Sequence, residues 1–262
     1  MNQDELIIFK NWFAGYCASF STPVREDQRN ISIKQDHTQQ VCLNALRISS
    51  DLKLNEQETL LAETIALFHD IGRFLQYQQY KTFDDSISVN HAALGITVLL
   101  EDGVLQGLPK KDQELILHAV TLHNVFSLPE ELDDRTRLFA QLARDADKLD
   151  IMRVVIQFFE QEAGDRAEAV ALGLPDAPGY SPEVLASLMR GEMARKADLK
   201  LQNDFKLLQL AWLYDFNFAS SLRMVLERGY IDQLAGMLPA SEEFKRAVEH
   251  IRSYVDGKLR AG

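Results

Sequence analysis

The chain has 262 residues, 46% of them hydrophobic and 26% charged, with a formal net charge of −11. That supply of apolar side chains is enough for one sizeable core. The acidic balance argues against polymeric nucleic acid as a partner, because a negative surface repels a phosphate backbone.

In chain order, Leu6, Phe9, Phe13, Cys17 and Phe20 step by three and four, which predicts a first amphipathic helix. The opening residues, MNQDELIIFKNWF, carry Asp4 and Glu5 and do not read as a signal peptide. No run of about 18 apolar residues occurs, so no membrane span is expected. Cys17 and Cys42 are the only cysteines, and neither stands in a CxxC pair. Two thiols make no disulfide framework, so a reducing, cytoplasmic setting is expected. Cys42, beside Val41 and Leu43, reads as a small buried hydrophobe.

Val41, Ala45, Ile48 and Leu52 continue the helical spacing after His37. Asn55 followed by Glu58 predicts a capping-box start for the next helix. That helix becomes apolar all round at Ile65, Ala66, Leu67 and Phe68, the pattern of a fully buried element. Gly72 reads as its C-cap, and a polar, aromatic loop is expected from Gln76 to Ser88. Helices carrying His91 to Leu99 and Leu115 to His123 follow, the second opened by Pro109. Arg135 to Phe159 is the longest periodic run. The turn-rich segment 173–182 interrupts the pattern, and Ser181-Pro182-Glu183 predicts a new helix start. Leu207, Leu210, Ala211 and Tyr214 share a later stripe. Period-two alternation is absent beyond a few residues, so the fold class is all-α. The expected organisation is a single helical domain over 1–262. It has a core at about 31–160, an insertion or lid at 161–200 and additional C-terminal helices at 201–262.

Five of the six histidines fall between positions 37 and 123. The informative feature is the His69-Asp70 pair at the end of an apolar run. A buried ionised carboxylate costs several kcal/mol unless it is paired or bound to a cation. Asp147 poses the same problem, since at helical spacing it shares a stripe with Ala143, Ile151, Val154 and Phe158. Singly, each has a plainer reading. Asp147 would pair with Arg73 or Arg144, and His69 would hydrogen-bond a backbone carbonyl. Together, two inward carboxylates with histidines nearby suggest a buried divalent metal. Imidazole plus carboxylate suits iron, manganese, zinc, cobalt or nickel better than calcium or magnesium.

The words H-T-x-x-V from His37 to Val41, L-F-H-D-I-G-R from Leu67 to Arg73 and D-A-D-K-L-D from Asp145 to Asp150 resemble the HD-domain metal-dependent phosphohydrolase superfamily. The resemblance covers roughly residues 31 to 160. It implies an all-α HD-domain bundle and the metal ligands His37, His69, Asp70 and Asp147. Asp147, rather than Asp145 or Asp150, is implied because it precedes the basic residue. Binuclear members imply His91 and His123 as ligands to a second ion, with Asp70 bridging. His118 competes with His123, but five residues separate them, about 140° around a helix, and the wording around His123 fits better. His118 then reads as an ordinary helix residue and His250 as a solvated surface residue. The resemblance also assigns Lys148 and Arg73 to a substrate phosphate. For Lys148 a surface position is the plainer alternative, and for Arg73 a nearby acid. Asp84-Asp85 would orient metal-bound water or cap a turn.

The function implied is metal-assisted hydrolysis of a phosphate ester or anhydride in a small substrate, a nucleotide among the candidates, with one or two ions. Lys148, Arg73 and Asp70 would carry the catalytic roles. One alternative is an HD-type di-iron oxygenase, whose ligand order is also met here. The other is a non-catalytic nucleotide-binding sensor. No nucleic-acid or membrane partner is expected, and oligomeric state leaves no mark on the sequence.

Overall fold

The computed structural model describes residues 1–162 and 166–261, and among them the structure is helical with no strand. The chain forms two compact units, Met1–Asp150 and Ile151–Gly262. No helix among the described residues is long and apolar enough to cross a membrane.

In the first unit, α1 (Gln3–Ala18) starts at Asn2, which forms a reciprocal capping box with Glu5. It buries the predicted stripe of Leu6, Phe9, Phe13 and Cys17. Helix α2 (Arg25–Asp51) turns His37, Val41, Ala45 and Ile48 inward. Helix α3 (Glu56–Phe68) opens on the predicted capping box, with Asn55 Oδ1 accepting from Glu58 N at 3.0 Å. Its residues from Leu60 to Phe68 are all buried, and it packs against α1, α2 and α6 (Lys110–Leu122). Side chains such as Ile65 and Phe68 each contribute about 1.5–3 kcal/mol by leaving water. The catalytically suggestive pair His69-Asp70 therefore hangs from the end of the most buried helix of this unit.

Two expectations for the next segment are overturned. Gly72 is not a left-handed C-cap. It begins α4 (Gly72–Tyr80), which occupies the first part of the expected Gln76–Ser88 loop. The turn from α3 to α4 keeps right-handed helical angles at His69 and Ile71. Glycine is needed at 72 for closeness: a Cβ there would lie 2.2 Å from the His91 carbonyl oxygen and 2.6 Å from the Gly95 nitrogen. Thus α4 meets α5 (His91–Glu101) backbone to backbone. The left-handed position is Lys81, φ 54°, which ends α4. Helix α5 starts at Asn90, whose side chain accepts from Ala93 N at 2.9 Å, and α6 follows Pro109 as predicted. The division between units falls within α7 (Asp134–Glu160).

In the second unit, α8 (Pro182–Met189) begins after Ser181, as expected. The Ser181 hydroxyl does not cap the helix, however; it donates to Asp204 Oδ2 at 2.7 Å. Asp204 also accepts from Lys200 N and Leu201 N at 2.9 and 3.0 Å, so this buried carboxylate ties the preceding loop to the start of α8. Every residue of α9 (Gln202–Ala211) is buried, a departure from the one-sided stripe read in the sequence. It packs on α8, α11 (Tyr230–Gly236) and α12 (Glu242–Ala261), with α10 (Ala219–Glu227) lying against α11 and α12. His250 on α12 is half-buried rather than solvated, its ring 6.4 Å from that of Tyr214. Of the 161–200 segment assigned as an insertion or lid, residues 163–165 lie outside the described residues.

Candidate metal centre

Five elements of the first unit bring six side chains to one buried space. His37 comes from α2, His69 and Asp70 from the turn after α3, His91 from the first residue of α5, His123 from the end of α6, and Asp147 from α7. The nitrogens His37 Nε2 and His69 Nε2 are 3.2 Å apart, and His91 Nε2 and His123 Nε2 are 2.9 Å apart. The rings of His69 and His123 lie 5.2 Å centroid to centroid, so the two pairs adjoin. Asp70 stands between them. Its Oδ2 is 3.5 and 3.7 Å from His37 and His69 Nε2, while its Oδ1 is 3.2 and 3.7 Å from His91 and His123 Nε2.

The opposite edge of each ring is occupied. His69 Nδ1 meets the carbonyl of Ala66 at 2.7 Å, and His123 Nδ1 that of Val120 at 2.6 Å. A carbonyl only accepts, so both Nδ1 atoms carry the proton and donate it. His37 Nδ1 lies 2.7 Å from Asp150 Oδ2 and His91 Nδ1 2.7 Å from Asp85 Oδ2, two carboxylates that act the same way. In the neutral rings each Nε2 then presents a lone pair to another lone pair, an arrangement that calls for a cation between them. Asp147 adds a buried carboxylate oxygen, Oδ1, that lies 3.1 Å from His37 Nε2 and 3.5 Å from His69 Nε2 yet has no hydrogen-bond partner. Imidazole lone pairs, a shared carboxylate and an orphaned carboxylate oxygen fit divalent metal ions. Among the described residues, two groups meet the spacing of a metal site, His37-His69-Asp70 and Asp70-His91-His123.

The electrostatics agree. Burial disfavours the charged form of Asp70, but Lys34, His69 and Arg73 outweigh it and hold the carboxyl well below the usual range. Asp147 is likewise held low, against its burial, by His37 and His69. Burial and the Lys34 ammonium oppose protonation of His37, yet Asp147 and Asp150 prevail and raise it to about 9. The bare carboxylates thus draw a proton where a metal ion would supply the charge. His91 moves the other way, because burial and Arg73 outweigh Asp70 and Asp85.

Of the remaining sequence candidates, Arg73 turns to acids. Its Nη1 donates to Asp85 Oδ1 at 2.8 Å, Phe83 O at 2.6 Å and Gln76 Oε1 at 2.9 Å, with Nε 3.4 Å from Asp70 Oδ1. The Asp84-Asp85 pair divides its work. Asp84 caps the short helical turn Asp85–Ile87 by accepting from Ser86 N at 2.8 Å, whereas Asp85 orients His91. Lys148 is buried rather than a surface lysine. His118 is exposed, apart from the cluster, while His123 is buried within it.

Sequence reasoning did not single out Lys34, whose Nζ is 2.7 Å from Asp70 Oδ2, or Asp150 behind His37. It also missed Asn124, 3.3 Å from Asp85 Oδ2, and assigned no site role to the buried Arg144. Arg144 donates to the carbonyls of His123, Val125 and Phe126 and so fixes the chain just after α6. Lys34 and Asp150 each stand three residues from a ligand position. That spacing on a helix was the available signal.

The HD domain family model matches residues 35–152, a span that takes in all six clustered side chains. Over that span, a little under half of the chain, the sequence is similar to the HD domain family. No curated protein and no solved structure matches the chain.

Proposed function

We propose that this protein hydrolyses a phosphate ester or anhydride in a small substrate, a nucleotide among the candidates, using one or two divalent transition-metal ions. The observation that carries the reading is the placement of Asp70, with one carboxylate oxygen toward each histidine pair. The similarity of residues 35–152 to the HD domain family supports it, since these domains are generally metal-dependent phosphohydrolases.

His37, His69, Asp70 and Asp147 would hold one ion, and Asp70, His91 and His123 a second. A metal bound there would acidify water towards neutrality and stabilise charge on phosphoryl oxygens. The chain's part is to hold the donors ready. Ala66, Val120, Asp85 and Asp150 fix which imidazole nitrogen faces the site, and Arg73 locks Asp85 in turn. Lys148 is the candidate on α7 for contact with the phosphate. The net charge of −11 supports a small substrate in place of nucleic acid. Neither a membrane partner nor a non-cytoplasmic location is part of the proposal.

The test is elemental analysis of protein purified without added metal or chelator, followed by phosphate-release assays with iron, manganese, zinc, cobalt and nickel. Asp147→Asn should abolish metal-dependent phosphate release; full activity in that variant would refute the ligand assignment. The convergence of four imidazoles on Asp70 also suits a di-iron oxygenase. Dioxygen consumption by iron-loaded protein, with no phosphate release, would favour that second reading. Tight nucleotide binding without turnover under any of the five metals would favour a sensor.

A further inference from the structure

We propose that Lys34 binds the phosphoryl group of the substrate, an inference that rests on the phosphohydrolase reading above. Lys34 lies on α2 one turn before His37, so the two side chains share a face. Its ammonium is 2.7 Å from Asp70 Oδ2, the oxygen on the side of His37 and His69. The ammonium also lies 5.1 Å from the centroid of the Phe83 ring, which steadies the cation without accepting a conventional hydrogen bond.

An ammonium has three donors. One meets Asp70, and no other acceptor among the described residues meets Lys34. The side chain remains 15% exposed, so the spare donors have an opening to solvent. Arg73, the cation assigned to phosphate from the sequence, has its Nη1 on three acceptors, Asp85 among them, and its Nε 3.4 Å from Asp70 Oδ1. Lys34 thus sets a charge against the Asp70 carboxylate with donors to spare. A compact ammonium on a flexible stem suits a single phosphoryl oxygen. An ion held by Asp70 would supply the counter-charge that Lys34 supplies now, and the Lys34 ammonium would then turn its donors to the phosphate.

The competing role is a counterion for Asp70 alone. Binding of inorganic phosphate to manganese-loaded protein, followed by titration calorimetry, separates the two when metal content is measured on the same samples. The expected result is full metal content in Lys34→Met with phosphate affinity at least tenfold weaker, and affinity within a few-fold of wild type in Lys34→Arg. Lys34→Gln replaces the methionine variant if that one does not fold. Wild-type phosphate affinity in a fully loaded Met or Gln variant overturns the proposal. Loss of metal from both variants also overturns it and assigns Lys34 to holding Asp70. Wild-type protein that loads metal but binds no phosphate refutes the phosphohydrolase reading itself, and with it this one.

Discussion

Replacing Gly72 with alanine adds one methyl group where α4 crosses α5, two residues from Asp70 and against the helix that begins with His91. The new Cβ would stand 2.2 Å from the His91 carbonyl oxygen and 2.6 Å from the Gly95 nitrogen. Both neighbours are backbone, so no rotamer change relieves the overlap and the two helices must separate. Overpacking of this kind costs about 1–3 kcal/mol, and unyielding neighbours place it at the upper end. Helix propensity returns up to about 1 kcal/mol, leaving a net loss of about 2 kcal/mol. For a chain of this size that lowers the melting temperature by roughly 4–8 °C. Gly15→Ala is the control, because Gly15 is an exposed helical position on α1 where an added methyl group meets nothing within 4 Å. It should gain about 1 kcal/mol and melt a few degrees higher. Thermal unfolding followed by circular dichroism at 222 nm reads both variants, with metal content measured alongside. Gly72→Ala is expected to lose metal from the His91-His123 side as His91 shifts. Wild-type melting and full metal content in Gly72→Ala would refute the close-approach reasoning. So would the two alanine variants moving in the same direction.

Asp85→Ala removes the acceptor of His91 Nδ1 and the anchor of Arg73. Affinity for the ion at His91 and His123 should fall about 10–100-fold, seen as loss of close to one ion per chain on dialysis, with the His37-His69 ion retained. Asp150→Ala acts on the other side: His37 loses its Nδ1 acceptor, and metal titration should show a fall of similar size at the first ion. Equal loss of both ions in either variant would show that the two groups are not separable. Cys17 and Cys42 are both buried, and burial pushes their thiols up to about 12. At pH 8 the thiolate fraction is on the order of 10⁻⁴, so the native protein should leave Ellman's reagent uncoloured until denaturant is added. Rapid colour from the folded protein would contradict that burial.

Local signals carried much of the first unit. The capping box of α3, the apolar stripe of α1 and the all-round apolar end of α3 depend on residues within a turn or two of one another, and the backbone follows them directly. The candidates His37, His69, Asp70, His91, His123 and Asp147 were also named from the sequence, the histidines by resemblance of short words and the carboxylates by their place on inward faces. The misreading of Gly72 has a definite cause. Glycine marks both left-handed turns and close approaches, and the sequence near position 72 does not contain the partner, which is the backbone of residues 91 and 95.

Sequence by itself thus determined the helical class, the candidate metal ligands, and the order in which the chain presents them. Only the tertiary structure decided how they are used. It divided the Asp70 oxygens between two histidine pairs and turned Arg73 away to Asp85. It set Asp85 and Asp150 behind His91 and His37, and it brought Lys34 to within 2.7 Å of Asp70. The reason is physical: helical periodicity tells which way a side chain faces, but a hydrogen bond or ion pair depends on distances of about 3 Å. Between residues dozens of positions apart, such distances are set by the crossing of packed helices, and no local pattern encodes them.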